Sequence, residues 1–151
     1  MQRFNRQNFN NNNTSYRQTD FGPKPFATNL NEAARRNDLF RVALWTGEHL
    51  QLTLMSINVN DNIGLEVHRD VDQFLYIVEG QGVTMMCNRQ DCLDYRQNVS
   101  PGFGIFVPAG TWHNVINTGR MPLKLFTVYA PPEHPRGTVH RTKAEAEEYH
   151  H

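Results

Sequence analysis

The chain has little cysteine, no long apolar run and no excess of charge of either sign, and each deficit excludes a class of function. Lys plus Arg and Asp plus Glu number 15 each, so the zero net charge gives no reason to expect nucleic acid or an anionic membrane as a partner. No apolar stretch approaches the roughly 18 residues of a membrane span. The N-terminus, MQRFNRQNFNNNN, lacks the apolar core of a secretory signal. We therefore expect a cytoplasmic protein.

The two cysteines, Cys87 and Cys92, flank the sequence Asn-Arg-Gln-Asp. This spacing can lie across a hairpin tip, as a disulfide or a redox pair. A zinc site is a weaker alternative, because no other cysteine or paired histidine is near in the sequence. Since the chain carries no export signal, we expect two free thiols.

The first 20 residues differ in composition from the rest of the chain. They are rich in Asn, Gln, Arg and Ser, and such a segment cannot bury enough apolar surface to offset the entropy lost on ordering. We therefore expect a flexible Asn-rich tail over residues 1–20 and a single domain over residues 21–151. Within this domain, residues 40–130 carry the motifs, and residues 131–151 are predicted to form a C-terminal loop and a short helix.

The domain is predicted to be all-β, because from Phe40 apolar and polar residues alternate in short runs separated by Gly, Pro and Asn. A short strand is predicted to carry Glu66 and His68, and a longer strand to end at Glu79. The other predicted strands are Phe40 to Glu48, Leu50 to Val59, Val83 to Cys87, Cys92 to Val99, Gly104 to Val107 and Pro122 to Tyr129.

One tight turn and two short helices complete the predicted secondary structure. The glycine pair at positions 80 and 82 predicts a hairpin. Asn29 or Asn31 is predicted to cap a helix that ends near Asn37. Thr142 and Glu145 have the spacing of a capping box, which predicts a second helix over residues 143–149.

Four side chains of metal-binding type are predicted to form one site. Glu66 and His68 share a face of their strand because successive strand residues point to opposite sides. Gln73 ends the link that follows, and His113 occupies a comparable strand position in WHNVIN. The plainer alternative is that Glu66 pairs with Arg69 and that His68 is a hydrogen-bonded core residue.

The same residues resemble the first sequence motif of the cupin family, which reads G, five residues, H-x-H, three or four residues, E, six residues, G. Glu66 and His68 occupy the H-x-H places, Gln73 the E place and Gly80 the closing glycine. The spacing is kept, but Glu replaces the first His and Gln replaces the Glu. The opening glycine is displaced, since Gly64 lies two residues before Glu66.

The second cupin motif, G, five residues, P-x-G, two residues, H, three residues, N, is matched in full. The matching residues are Gly102, Pro108, Gly110, His113 and Asn117. The resemblance covers residues 40–130 and implies a cupin jelly-roll barrel (a double-stranded β-helix) with short peripheral helices. It also implies one divalent transition metal, Mn, Fe, Zn, Ni or Co, with four ligands: Glu66, His68, Gln73 and His113.

The flanking sequence is similar to bacterial single-domain cupins of the mannose-6-phosphate isomerase-like type. This similarity implies a sugar-isomerase-like enzyme that uses the metal as a Lewis acid on a small molecule. Two His and one carboxylate instead favour a metal-dependent dioxygenase. A non-catalytic module that binds or senses a carbohydrate or other small ligand is the remaining alternative.

Two residues are candidates for proton transfer, Glu66 and His134. His134 and His140 fall in the proline-rich loop after residue 130, where we expect surface placement unless one of them reaches the mouth of the barrel. Cupins of this type commonly dimerise, and small β-sandwiches hide edge strands by pairing, so a homodimer is predicted with Phe21 to Trp45 as the paired edge.

Overall fold

The computed structural model describes residues 20–92 and 94–148. The predicted Asn-rich tail therefore lies outside the described residues, apart from Asp20. The Asp20 carboxylate is buried and accepts hydrogen bonds from the backbone N–H groups of Gly22, Thr46 and Gly137 at 2.9–3.0 Å. Since these contacts join three distant parts of the chain, Asp20 is part of the folded domain.

The described residues form nine strands in two antiparallel sheets. The strands are β1 (Arg41–Thr46), β2 (Gln51–Ile57), β3 (Asp72–Glu79), β4 (Gly82–Cys87), β5 (Tyr95–Val99), β6 (Gly104–Val107), β7 (Trp112–Asn117), β8 (Leu123–Ala130) and β9 (Val139–His140). One sheet has the order β6-β3-β8-β2-β1-β9, and the other has the order β5-β4-β7.

The two sheets pack their inner faces against each other. Residues directly opposite in an antiparallel ladder share a face, and Ile77, Leu125 and Met55 form such a row across β3, β8 and β2. These side chains are fully buried in one cluster with Val99 of β5 and Val115 of β7. Because this core joins both sheets, the predicted all-β jelly-roll barrel with short peripheral helices is confirmed.

Both predicted helices are confirmed, with slightly different ends. Helix α1 (Leu30–Arg36) begins at Asn29, whose side chain accepts a hydrogen bond from the Glu32 N–H at 3.0 Å. Helix α2 (Lys143–Glu148) begins after Thr142, whose hydroxyl accepts a hydrogen bond from the Glu145 N–H at 3.1 Å. In the described part of the chain, no helix is long and apolar enough to span a membrane.

The predicted hairpin at Gly80 and Gly82 is wrong, because β3 and β4 belong to different sheets. The chain passes here from one sheet to the other and comes very close to neighbouring backbone. A Cβ atom on Gly82 would lie 2.7 Å from the Ile116 carbonyl oxygen, and Gly80 has a φ of +98°. The two glycines therefore permit a close crossing between sheets.

The predicted short strand through Glu66 and His68 is also wrong. Glu66 forms a single β-bridge, with His113. The ladder is interrupted at Gly64, which has a φ of +108° and donates its N–H to the Asn114 side chain at 3.0 Å. The Asn114 side chain thus accepts the hydrogen bond that a backbone carbonyl would accept in a regular ladder, so the segment around Gly64 does not form a strand.

The expectation of two free thiols is wrong, because Cys87 and Cys92 form a disulfide. The β4–β5 ladder pairs Met86 with Tyr95 and so brings both ends of the connecting loop together. The Cα atoms of the two cysteines lie 6.0 Å apart, within the usual range for a disulfide. The disulfide therefore closes the tip of this hairpin.

The segment after β8 lies against the barrel and ends in β9, which pairs with β1. β9 occupies the outer edge of β1, the region where we expected a second subunit to pair.

His134 and His140 are both buried, so their expected surface placement is wrong. His140 is buried because β9 pairs with β1, where His140 lies opposite Arg41. His134 is held by the side chain of Gln51, which is fully buried on β2. Its Oε1 accepts the His134 N–H at 2.9 Å and its Nε2 donates to the His134 carbonyl at 2.9 Å.

Candidate metal centre

Glu66, His68 and His113 come together inside the barrel. One carboxylate oxygen and one ring nitrogen from each histidine all lie within 4.8 Å of one another. The bridge between Glu66 and His113 sets this arrangement, because the two residues exchange backbone hydrogen bonds of 2.9 and 3.0 Å. Side chains at such directly opposed positions project to the same side, here the barrel interior.

His113 is held as a neutral ligand-type imidazole. Its Nδ1 lies 2.9 Å from the Thr111 carbonyl oxygen, which can only accept, so Nδ1 carries the proton. Burial lowers the pKa of His113. The Nε2 atom is buried and makes no hydrogen bond to any described residue. A neutral imidazole with a lone pair on Nε2 is the form that binds a metal.

His68 lies between two carboxylates. Its Nδ1 is 3.3 Å from Glu133, and its Nε2 is 3.6 Å from Glu66. Burial by itself lowers the pKa of His68, but the close contacts with the Glu133 and Glu66 carboxylates and their negative charges outweigh burial and raise the pKa from 6.5 to about 9. In the metal-free protein at neutral pH, His68 is therefore a cation.

Glu66 pairs with Arg41, not with Arg69 as in the alternative drawn from the sequence. The Arg41 Nη2 atom, on a side chain only 1% exposed, is 3.7 Å from the Glu66 carboxylate. Arg69 instead lies over the ring of Trp112. Burial alone raises the pKa of Glu66, but the close contact with His68 and the charge of Arg41 outweigh burial and lower the pKa from 4.5 to about 2.

Gln73 lies on β3, in a row with Tyr129 of β8 and Val107 of β6. It is buried, and its Oε1 atom has no hydrogen-bond partner among residues 20–92 and 94–148. Its neighbour Tyr129 is fully buried and meets the His68 ring edge-on, with centroids 5.6 Å apart. The structure thus adds a buried amide oxygen to the same inner face of the barrel.

Two residues that were not predicted from the sequence, Glu133 and Arg41, complete the surroundings of this cluster. Glu133 contacts His68, whereas the neighbouring residue that we had chosen, His134, packs against Tyr129 at 5.1 Å between ring centroids. Arg41 carried one usable signal, namely a charged residue in a run that is otherwise apolar over Val42, Ala43 and Leu44. Glu133 carried no signal, because only tertiary structure brings the proline-rich loop to the barrel interior.

A cavity of about 470 Å³ gives access to the cluster, and Glu66, His68, Trp112 and Glu133 contribute to its wall. A larger cavity of about 800 Å³ is bounded by β5, β6 and the disulfide hairpin. None of the four predicted ligands lines that larger cavity. Met86, which does line it, is paired with His113 across the β4–β7 ladder.

The residues present fit a divalent transition metal. Ligand atoms about 2.1 Å from one ion lie at most about 4.2 Å apart, and the three ligand atoms here lie within 4.8 Å of one another, so small side-chain adjustments bring them to one ion. Each histidine has its Nδ1 atom held by an oxygen, which is the usual environment of a metal-binding imidazole. The buried Nε2 of His113 has no other acceptor or donor role among the described residues.

Comparison with known proteins identifies the family and supports the fold described above. Residues 53–129 match the family described as Cupin domain. The chain is similar to the uncharacterized protein YrkC of Bacillus subtilis, with 58% identity over 127 residues that cover 84% of this chain and 68% of that protein.

Two solved structures show the same fold over most of the chain. BH2720 from Bacillus halodurans has a TM-score of 0.85 and 56% identity, and the match covers 86% of this chain and 98% of that one. TT1209 from Thermus thermophilus has a TM-score of 0.59 and 25% identity, and the match covers 70% and 96% of the two chains.

Proposed function

The chain belongs to the cupin family, and we propose that it is a metal-dependent enzyme that acts on a small molecule inside the barrel. Glu66, His68 and His113 would hold one divalent transition metal (Mn, Fe, Zn, Ni or Co), with Gln73 as the fourth ligand. The convergence of a carboxylate and two imidazoles within 4.8 Å in the barrel interior carries this proposal. Nitrogen and oxygen donors without thiolate suit these metals.

When bound, the metal supplies Lewis acidity to a carbonyl, enol or hydroxyl oxygen. The protein orients the ligands. The Thr111 carbonyl accepts a hydrogen bond from Nδ1 of His113 and so directs Nε2 inward. The Glu133 carboxylate lies next to Nδ1 of His68 and orients that ring in the same way. His68 and Arg41 together keep the Glu66 carboxylate ionised, and they lower the pKa of Glu66 to about 2.

Proton transfer needs a group that is not fully engaged with the metal. Glu66 and His134 are the candidates drawn from the sequence, and the structure adds Glu133. His134 contacts Tyr129, whereas Glu66 and Glu133 both line the cavity at the cluster. This placement favours the two carboxylates over His134 as the proton-transfer group, and of these two Glu133 is the one that is not a proposed metal ligand.

Two reactions suit such a centre. A sugar-isomerase-like reaction is favoured by the resemblance to the mannose-6-phosphate isomerase-like type. A dioxygenase reaction is favoured by the donor set of two His and one carboxylate, which leaves positions open on ferrous iron. A non-catalytic carbohydrate-binding or sensing role would use the same cavity without turnover.

Elemental analysis of the purified protein tests the metal site first. We expect about one transition metal per chain, retained after gel filtration, and loss of that metal in a Glu66→Ala/His113→Ala double variant. His49→Ala is the matched control, because His49 is 86% exposed. A metal-free protein that takes up none of these ions after refolding with each of them would contradict the proposal.

A turnover screen separates the enzyme from the binding module. The metal-loaded protein is assayed with sugar phosphates for isomerisation and with an oxygen electrode for dioxygen uptake. Saturable ligand binding without turnover in either assay would favour the non-catalytic alternative.

We also propose that the protein is cytoplasmic and that it forms a homodimer. Light scattering coupled to gel filtration measures the mass directly, and a monomer over the whole accessible concentration range would contradict the homodimer.

A further inference from the structure

The larger cavity has an unusual mouth. In the described residues, seven large hydrophobic side chains are exposed, and the three aromatic ones all line this cavity: Tyr95, Phe103 and Phe106, exposed by 54%, 41% and 73%. Single exposed apolar side chains are ordinary, but a cluster around a concave surface marks a binding site. We call this volume the aromatic cavity.

The inner end of the aromatic cavity lies beside the candidate metal centre. Thr84 and Ile105, both almost fully buried, form part of its wall. Met86 stands directly opposite His113 in the β4–β7 ladder, so the two side chains share the inner face. Thr111, whose carbonyl fixes the His113 ring, also lines the cavity. The flexible side chain of Met86 is therefore a part of the cavity wall that lies next to His113.

The wall of the aromatic cavity is held in place by specific packing. Phe106 packs against Phe74, with ring centroids 4.9 Å apart. Glycine at position 104 leaves room for this contact, because a Cβ atom there would lie 2.8 Å from the Phe74 ring. On the opposite side, the Cys87–Cys92 disulfide closes the hairpin that forms the other wall. A preformed site of this kind loses little entropy when a ligand binds.

We propose that the aromatic cavity binds a planar, apolar ring of the substrate, with an oxygen-bearing end directed past Met86 toward His113. The inference rests on the proposed function, since it names the substrate class of the same centre. A volume of about 800 Å³ suits a small organic molecule. An aromatic acid or enol offers both a planar ring for this lining and an oxygen for the metal centre.

Fluorine NMR with 4-fluorobenzoate as the probe and fluoroacetate as the ring-free control tests this proposal. We expect saturable binding of 4-fluorobenzoate and none of fluoroacetate at equal concentration. Phe106→Ser should weaken binding about tenfold through loss of the ring contact. Met121→Ser is the matched control, because Met121 is 46% exposed and lies outside the cavity, and it should leave binding unchanged. Since Phe106 is mostly exposed, its variant should keep the wild-type circular dichroism spectrum.

Loading with Mn²⁺ then tests whether the cavity serves the metal centre. We expect the bound ion to broaden the fluorine resonance of the bound probe, and the Glu66→Ala/His113→Ala variant to abolish the broadening. Equal binding of both probes, or affinity that is insensitive to Phe106, would overturn the cavity proposal. Mn²⁺ binding without broadening would overturn its link to the centre. Failure of Mn²⁺ to bind would contradict the proposed metal site. Binding of 4-fluorobenzoate but not of fluoroacetate would in that case still support the proposal for the aromatic cavity.

Discussion

The charge state of His68 provides the sharpest test of the centre, because it predicts how the stability of the metal-free protein depends on pH. The pKa of His68 is raised from 6.5 to about 9 in the folded state. A group whose pKa is higher in the folded state stabilises that state fully below its unfolded pKa and loses this contribution as pH rises through the folded pKa. The affected window therefore runs from about pH 6.5 to about pH 9.

The rise in the pKa of His68 corresponds to about 3 kcal/mol at about 1.4 kcal/mol per pKa unit. We expect the unfolding free energy of the chelator-treated protein, measured with urea, to fall by up to about this amount between pH 6.5 and pH 9. In His68→Gln the fall should be absent. His49→Gln, altered at an exposed histidine, should follow the wild type. A flat wild-type profile, or the same slope in His68→Gln, would refute the assignment of a buried histidine cation.

Metal binding should reverse this proton linkage. A metal ligand must be a neutral imidazole, so an ion that binds at pH 7.5 has to displace the proton of His68. Titration calorimetry in buffers of different ionisation enthalpy should show about one proton released per metal ion. Release should vanish in His68→Gln, and a value near zero in the wild type would place His68 outside the ligand set.

Three further predictions follow from other contacts. Glu133→Gln should lower metal affinity about 10- to 100-fold, measured in competition with a chromophoric chelator, because Glu133 orients His68. Glu147→Gln, a change in the wall of the same cavity, should leave metal affinity unchanged. Equal effects of the two variants would show that only the charge of the cavity matters. The Cys87→Ser/Cys92→Ser variant should lose about 2 kcal/mol of unfolding free energy in urea, because the disulfide closes a loop with a sequence separation of 5. Asp20→Ala should cost about 2–3 kcal/mol in the same assay, since its carboxylate accepts three backbone N–H groups; no loss would exclude Asp20 from the folded domain.

Strand positions and the motif-bearing residues were predictable because both depend on local pattern. Alternation with a period of two located β1, β2, β6 and β8 within a few residues. The spacing of Glu66, His68 and His113 placed them together before any contact was known, and the structure brings these three together. Whether Gln73 coordinates stays a prediction.

What could not be predicted depends on contacts between distant segments. The crossing at Gly80 and Gly82 resembles a hairpin in sequence, since both kinds of turn need glycine, and only the sheet order distinguishes them. The contact of Glu133 with His68 requires the loop to be tied down by Gln51, 82 residues earlier. The local pattern of apolar and polar residues contains no information about a contact between Gln51 and residue 133.

The tie between Gln51 and the loop has a consequence for the order in which the centre is assembled during synthesis. The candidate ligands lie between residues 66 and 113, so the ribosome releases all of them before Glu133. Gln51 is made earlier still, and its side-chain amide can form its hydrogen bonds to the backbone of residues 133 and 134 only after these residues have been made. A nascent chain that has not reached this point holds every ligand but lacks the carboxylate that orients His68. The centre is therefore finished late, after most of the sheet that surrounds it has been made.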